Sequence, residues 1–141
     1  MQQIPVIYWS GTGNTKAMAE AVAKGINDAG KEALLLSVSE ISAEKASEYN
    51  VLALGCPSMG MEVLEEYEFE PFFTELEGKL NGKKFVLFGS YGWGGTYMQE
   101  WENRVRSAGG ELLADGILAL GFPDDEILAE CMQAGKVMAN C

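Results

Sequence analysis

The chain has 141 residues, 48% of them hydrophobic and 22% charged, which is an ordinary composition for one globular domain with a buried core. With 21 acidic against 10 basic side chains, its net charge of −11 makes nucleic acid and anionic membranes poor partners and favours a protein with a basic docking patch. Histidine is absent and the three cysteines have no Cys-x-x-Cys spacing, so a structural zinc site and a histidine-dependent catalytic triad are excluded.

Apolar runs alternate regularly with helical patterns, which is typical of a parallel sheet covered on both faces. The predicted strands are 3–8, 33–38, 51–55, 84–89 and 112–120. Helices are predicted over 14–29, 43–48, 96–108 and 124–140, and a further helix before Gly78 carries Phe69, Phe72, Phe73 and Leu76. Five strands alternating with helices predict a three-layer, doubly wound α/β fold with sheet order 2-1-3-4-5, formed by a single domain over residues 1–141. Pro5 is an anomaly in the first strand, because it lacks an amide hydrogen for the sheet.

The turn after the first predicted strand is rich in hydroxyl groups and glycine. An anion at the positive end of the following helix would be surrounded by the side chains and N–H groups of Ser10, Gly11, Thr12, Gly13, Asn14 and Thr15. No basic residue precedes Lys16 in this chain. A phosphate would therefore be held by oriented N–H and O–H groups and by the helix dipole.

Two better-known phosphate motifs do not fit this loop. A P-loop requires Gly-x-x-x-x-Gly-Lys-Ser/Thr, and a dinucleotide fingerprint requires a third glycine where this chain has Lys16. A strand-to-helix turn with good caps is an alternative explanation, and this stretch alone does not decide between it and a phosphate site.

Two further unusual loops follow the third and fourth predicted strands. They read Cys-Pro-Ser-Met-Gly-Met-Glu over 56–62 and Ser-Tyr-Gly-Trp-Gly-Gly over 90–95. In the predicted strand order, these loops meet the phosphate loop at the carboxyl edge of the sheet. Met59 and Trp93 would each cover one face of a flat aromatic ligand there. Alternatively, Met59 anchors its loop in the core and Trp93 lies on the surface of its own domain.

A phosphate loop beside two apolar covers indicates a phosphorylated planar heterocycle. Glu62 can accept a hydrogen bond from a ring imide, and the N–H groups of Gly92 and Trp93 can meet ring carbonyls. One anion loop without a second glycine fingerprint favours a mononucleotide, so FMN is the predicted cofactor.

Over essentially its whole length, the chain resembles a flavodoxin of the short-chain kind. Residues 9–15 are similar to the family's phosphate signature, 59–62 to its flavin-flanking turn, and 90–94 to its second flavin loop. Long-chain flavodoxins interrupt the last strand with an insertion, whereas 112–120 is predicted to run straight through. The resemblance implies a flavodoxin-like fold and a low-potential, one-electron carrier with noncovalent FMN, which is not an enzyme.

The resemblance also implies roles for individual residues. The loop 10–15 would bind the phosphate, Met59 and Trp93 would pack on the two flavin faces, and Glu62 would bond the ring N3–H. The remaining implied cofactor-binding residues are Pro57, Ser58, Gly60, Met61, Ser90, Tyr91, Gly92 and Gly94. After one-electron reduction, the peptide after Gly60 would turn over so that the Gly60 carbonyl accepts a hydrogen bond from flavin N5. This change would move the positive φ of the turn to Met61, and we expect methionine to tolerate it less well than glycine or asparagine.

The implied partners are redox enzymes that also use ferredoxin: a pyruvate or other 2-oxoacid oxidoreductase, a hydrogenase or a pyridine-nucleotide reductase. Five carboxylates lie on or just after the flavin turn, namely Glu62, Glu65, Glu66, Glu68 and Glu70. They would steer basic partners and disfavour a second negative charge on the flavin, although a solvated helix face would explain most of them equally simply. A small acidic carrier is most simply a monomer.

The cysteine usage indicates the compartment. An odd cysteine count, with neither a basic leader nor an apolar run long enough for export or membrane insertion, leads us to expect a reducing cytoplasm.

Two rival functions fit the sequence less well. A flavodoxin-like quinone or azo reductase needs added segments for its substrate site, and we expect no spare length for them. A receiver domain needs a phosphorylatable aspartate in an acidic cluster at strand ends that carry Ser, Thr, Gly and Trp here.

Overall fold

A parallel sheet forms the middle layer of the protein. The computed structural model describes residues 3–59, 63–92 and 95–141. The strands are β1 (Gln3–Tyr8), β2 (Glu32–Ser37), β3 (Val51–Gly55), β4 (Lys84–Tyr91), β5 (Glu111–Leu112) and β6 (Ile117–Leu120). The helices are α1 (Asn14–Asp28), α2 (Ala43–Ala46), α3 (Phe69–Glu77), α4 (Thr96–Ser107) and α5 (Asp125–Ala139), with a 3₁₀ turn at Val38–Glu40.

The strand order is β2-β1-β3-β4-β5, with β6 also pairing with β4, and these five strand pairings are parallel. Helices α1 and α5 cover one face of the sheet through a core that includes Met18, Ile26 and Met138. Helices α3 and α4 cover the other face, where Phe73 and Trp101 lie in the second core. The predicted three-layer, doubly wound α/β architecture and its strand order are therefore confirmed.

The prediction of one continuous strand over 112–120 is wrong in its middle. Phe85 pairs with Leu112, and Phe88 pairs with Ile117. Between these two pairs, β4 spans three residues and the last strand spans five, so the last strand contains two extra residues. The two extra residues loop out of the ladder, and the Glu102 carboxylate of α4 accepts a hydrogen bond from the N–H of Gly116 at 2.7 Å in this segment. The last strand is thus two short segments, β5 and β6, separated by residues 113–116.

Pro5 lies where the sheet can accommodate it. The N–H of Trp9 donates to the Gly55 carbonyl on β3 at 3.0 Å, and N–H directions alternate along a strand. The Pro5 nitrogen therefore also faces β3, but pairing with β3 begins only at Val6. The missing donor would have been the first of that ladder, which is where a proline costs least.

Two glycines allow α1 and α5 to approach each other closely. A Cβ on Gly25 would collide with the backbone carbonyl of Met132, and a Cβ on Gly135 would collide with the carbonyl of Val22. Both glycines are buried in the contact between the two helices. Neither position was singled out from the sequence, because both follow the helical pattern without interruption.

We expect Gly25→Ala to lower the free energy of unfolding by about 1–3 kcal/mol, since the added methyl group must push α5 away. The sign of the change in unfolding free energy distinguishes a clash from helix propensity, because the higher helix propensity of alanine alone would stabilise the protein by up to about 1 kcal/mol. Urea denaturation of the purified variant measures the change. An unchanged or increased stability would contradict the close approach.

Candidate functional site

The loops that leave the carboxyl ends of β1, β3, β4 and β6 surround one cavity of about 240 Å³. Parallel strands bring these ends to the same edge of a doubly wound sheet, and ligands bind there where the strand order reverses. The cavity is lined by Trp9, Gly11, Thr12, Asn14, Pro57, Ser58, Met59, Ser90, Tyr91, Gly92 and Gly121. Three loops that the sequence predicted to converge therefore do so in the structure.

Nine of the predicted cofactor-binding residues line this cavity: Gly11, Thr12, Asn14, Pro57, Ser58, Met59, Ser90, Tyr91 and Gly92. Ser10, Gly13 and Thr15 belong to the same loop but are not part of the lining. Gly60, Met61, Glu62, Trp93 and Gly94 lie outside the described residues. The direct contacts of all these residues with a cofactor stay predictions.

The first loop is a tight turn that leads into α1. The Ser10 hydroxyl accepts a hydrogen bond from the N–H of Gly13 at 3.0 Å, and Thr12 Oγ1 lies 3.5 Å from the N of Asn14. Gly13 has a φ of 94°, a left-handed conformation that glycine adopts without strain. It precedes a helix whose first turn has no acidic side chain, so the positive end of the helix dipole is available to an external anion.

Two hydroxyl groups connect this loop to the end of β4. Thr15 Oγ1 lies 3.3 Å from Ser90 Oγ, and Thr15 is only 1% exposed. The N–H of Ser58 donates to the Ser90 carbonyl at 2.9 Å, so the loop after β3 is attached at the same residue. Ser90 therefore links the three predicted loops, which limits how far they can move apart.

A buried tyrosine at the start of α4 is hydrogen-bonded to the loop after β3. The Tyr97 hydroxyl donates to the Cys56 carbonyl at 2.8 Å, and burial raises the pKa of Tyr97 well above its usual value. Burial also raises the pKa of the Cys56 thiol, so Cys56 is protonated and unreactive at neutral pH. These two residues fix the backbone directly before the predicted ligand contacts at 57–59.

The described acidic residues of the segment 65–70 do not form one solvated face. Glu65 is 4% exposed, and its carboxylate accepts bonds from the N–H groups of Tyr67, Glu68 and Phe69 at 2.7–2.9 Å. Burial raises the pKa of Glu65, but the three hydrogen bonds together lower it by more, so the pKa lies below its usual value. Glu65 therefore serves as the cap of α3, whereas Glu66 is exposed.

Glu70 is also engaged by the protein itself. Arg104 binds its two carboxylate oxygens at 2.8 Å each and contacts Glu77 at 3.1 and 2.9 Å. The hydrogen bond from Arg104 lowers the pKa of Glu70, burial opposes this, and a bond from Thr74 lowers the pKa further. The charge of Glu70 is thus largely neutralised locally, which reduces its part in any long-range field.

Trp9 and Gly121 line the cavity but were not predicted as site residues. Trp9 was part of the recognised signature, and its place at the end of β1 was the available signal. Gly121 follows β6, and its N–H donates to the Tyr91 carbonyl at 3.0 Å. The rule that strand carboxyl ends meet at one edge applies equally to this fourth loop, so it could have been found.

The donor set fits a phosphorylated planar group better than a metal or a cationic ligand. Hydroxyl and N–H groups surround the start of α1, and the rest of the lining is mainly apolar or aromatic. Among residues 3–59, 63–92 and 95–141, no group of three or more His, Cys, Asp or Glu side chains is placed to hold a metal ion. In the same ranges, no helix is long and apolar enough to cross a membrane.

The fold and this donor set define a mononucleotide-binding protein of the doubly wound α/β class. The flavodoxin family profile matches residues 6–135. The chain is 45% identical to the flavodoxin of Clostridium beijerinckii over 96% of this chain and 98% of that protein, and 39% identical to the flavodoxin of Megasphaera elsdenii over 97% and 98%. The solution structure of two-electron reduced Megasphaera elsdenii flavodoxin superposes with a TM-score of 0.86 at 38% identity, covering 98% of this chain and 99% of that one.

The chain belongs to the flavodoxin family. Members of this family are FMN-binding electron-transfer proteins and not enzymes. The likeness extends over nearly the full length of the short relatives, in agreement with the short-chain type.

Proposed function

We propose that residues 1–141 act as a single FMN-binding unit that carries electrons one at a time, at low potential, between larger redox enzymes. The observation that carries this proposal is the convergence of loops 10–15, 57–59 and 90–92 around one cavity with a phosphate-type donor set. Membership of the flavodoxin family supports FMN as the cofactor, and the convergence of the loops supports this cavity as its site.

In this proposal, FMN supplies the redox chemistry and the chain binds and orients it. The phosphate would be held by Ser10, Thr12, Asn14 and Thr15 together with the N–H groups of Gly11 and Gly13. The ring system would be held by Met59, Glu62 and Trp93, with the rest of the predicted set, Pro57, Ser58, Gly60, Met61, Ser90, Tyr91, Gly92 and Gly94, completing the site. In support of this arrangement, one cavity is lined by Thr12 and Asn14 of the first group and by Met59 of the second.

Charge would determine both the potential and the choice of partner. A net charge of −11 opposes the addition of a second negative charge, which would keep the second reduction at low potential. The same charge attracts basic surfaces and raises association rates at low salt. Redox enzymes are the general class of partner for this family, and we propose those that also accept ferredoxin: a 2-oxoacid oxidoreductase, a hydrogenase or a pyridine-nucleotide reductase.

We further propose a monomer in the cytoplasm. The three cysteines are free, and Cys56 and Cys131 are buried. Burial raises the pKa of both buried thiols, that of Cys131 to about 12. Buried, protonated thiols suit a reducing compartment, since no disulfide is needed to hold this core together.

A titration with an electron-transfer assay tests the proposed function. Apoprotein should bind one FMN per chain and should then mediate electron flow from a pyridine-nucleotide reductase to cytochrome c, at a rate that falls as salt is added. Failure to bind FMN would overturn the proposal. Rapid NADH oxidation by the protein alone with a quinone present would instead assign it to the reductase class.

A further inference from the structure

The side chain of Trp9 joins the phosphate-type loop to the start of α3. The indole Nε1 donates a hydrogen bond to Glu68 Oε1 at 3.1 Å, across 59 residues of sequence. The backbone N–H of Trp9 is held at the same time by the Gly55 carbonyl on β3 at 3.0 Å. Trp9 is therefore fixed at both its backbone and the far end of its ring.

The ring lies directly against the loop that follows it. A Cβ built on Gly11 would lie 3.1 Å from the Cη2 atom and 3.3 Å from the Cζ3 atom of the indole. Trp9 and Gly11 both line the cavity at the carboxyl edge. The position of the indole thus limits where the backbone between Ser10 and Gly13 can go.

Glu68 is itself held in place by the buried cap of α3. Its backbone N–H donates to Glu65 Oε1 at 2.7 Å, and the N–H of Glu65 donates to the Cys56 sulfur at 3.3 Å. Cys56 follows β3 directly and its N–H donates to the Phe88 carbonyl at 3.0 Å. A continuous set of hydrogen bonds therefore connects the sheet, the start of α3 and the ring of Trp9.

We propose that the Trp9–Glu68 hydrogen bond positions the loop 10–13 for the phosphate group of the ligand. This rests on the proposed function, and it makes Trp9 and Glu68 positioning residues that select a phosphorylated flavin over the unphosphorylated one. A loop held in its binding geometry loses less conformational freedom on binding, so the affinity is higher. The charge of Glu68 acts in the opposite direction, because a carboxylate repels a phosphate.

Dissociation constants of the apoprotein for FMN and riboflavin test the proposal. Trp9→Phe and Glu68→Ala should each weaken FMN binding by about 3-fold to 10-fold, the range of one hydrogen bond, and should change riboflavin binding by less than about 2-fold. The double variant should be no weaker than either single variant, because both remove the same bond. Glu68→Gln should retain most of the affinity, since its amide oxygen still accepts from the indole.

Glu66→Ala is the matched control for charge. Glu66 lies two residues before Glu68 and is exposed, so its removal changes the net charge equally without breaking the bond to Trp9. FMN binding to this variant should be unchanged or slightly tighter. The indole N–H resonance of Trp9 should exchange slowly with solvent in the ligand-free protein and quickly in Glu68→Ala.

Several outcomes would overturn the positioning role while leaving the proposed function intact. One is an equal loss of affinity for FMN and for riboflavin in Trp9→Phe or Glu68→Ala. Another is additive effects of these two substitutions on FMN affinity. A third is a loss of FMN affinity in Glu66→Ala as large as that in Glu68→Ala. Failure of the unaltered apoprotein to bind FMN would overturn both proposals together.

Discussion

Thr12→Asp is expected to weaken FMN binding by at least about 100-fold. Thr12 lines the cavity beside the start of α1, and in the proposed complex its side chain lies next to the phosphate. Two unit charges about 4 Å apart near a protein surface repel each other by about 4 kcal/mol, which exceeds the roughly 2.7 kcal/mol needed for a 100-fold change. The fold should not suffer, because a carboxylate close to a helix N-terminus is stabilising.

Thr12→Asn is the control for this prediction, since it has nearly the shape of aspartate without the charge. We expect it to weaken FMN binding by less than about 10-fold, as for the loss of one hydrogen bond. Riboflavin lacks the phosphate and should bind both variants equally. Quenching of flavin fluorescence during titration of each apoprotein measures the constants. Equal affinity of the aspartate and asparagine variants for FMN would show that the phosphate does not lie at this loop.

The sequence predicted the architecture because its signals are local and repeated. Each buried strand is a short apolar run and each helix has its own periodic apolar face, so the order of elements follows without any knowledge of contacts. The interruption of the last strand is different in kind. Residues 112–120 contain apolar residues at both ends, and only the register of β5 and β6 against β4 shows the two additional residues.

The same distinction applies to the site. Strand ends and glycine-rich loops are visible in sequence, so nine lining residues could be named in advance. The partners of Trp9, Glu65 and Glu70 could not, because each depends on a contact between distant segments. Thr15 is a further example: its hydroxyl is visible in the sequence, but its contact with Ser90 Oγ at 3.3 Å joins segments 75 residues apart and could not be foreseen.

Glu65→Ala is expected to lower the free energy of unfolding by about 3 kcal/mol. The substitution leaves three backbone N–H groups, those of Tyr67, Glu68 and Phe69, without the carboxylate that accepts their hydrogen bonds. Removing the partner of even one buried donor costs about 1–3 kcal/mol, and water can reach some of the three positions. Glu65 is 4% exposed, so removal of its side chain also leaves a gap in the packing. Urea denaturation at neutral pH measures the change.

The pH dependence separates the carboxylate's charge from its shape. The pKa of Glu65 is lowered in the folded protein from an ordinary value of 4.5, so its stabilisation is complete above that pH and is lost as the pH falls through the folded pKa. Unaltered protein should therefore lose stability on acidification below about pH 4.5, and Glu65→Gln should lose less over the same range because it has no charge to protonate. A residual slope is expected in Glu65→Gln, since the pKa of Glu70 is lowered by Arg104 as well. Glu66→Gln, which changes an exposed neighbour, should keep both the neutral-pH stability and the full acid slope. Identical slopes for Glu65→Gln and the unaltered protein would show that the three N–H bonds do not favour the charged carboxylate.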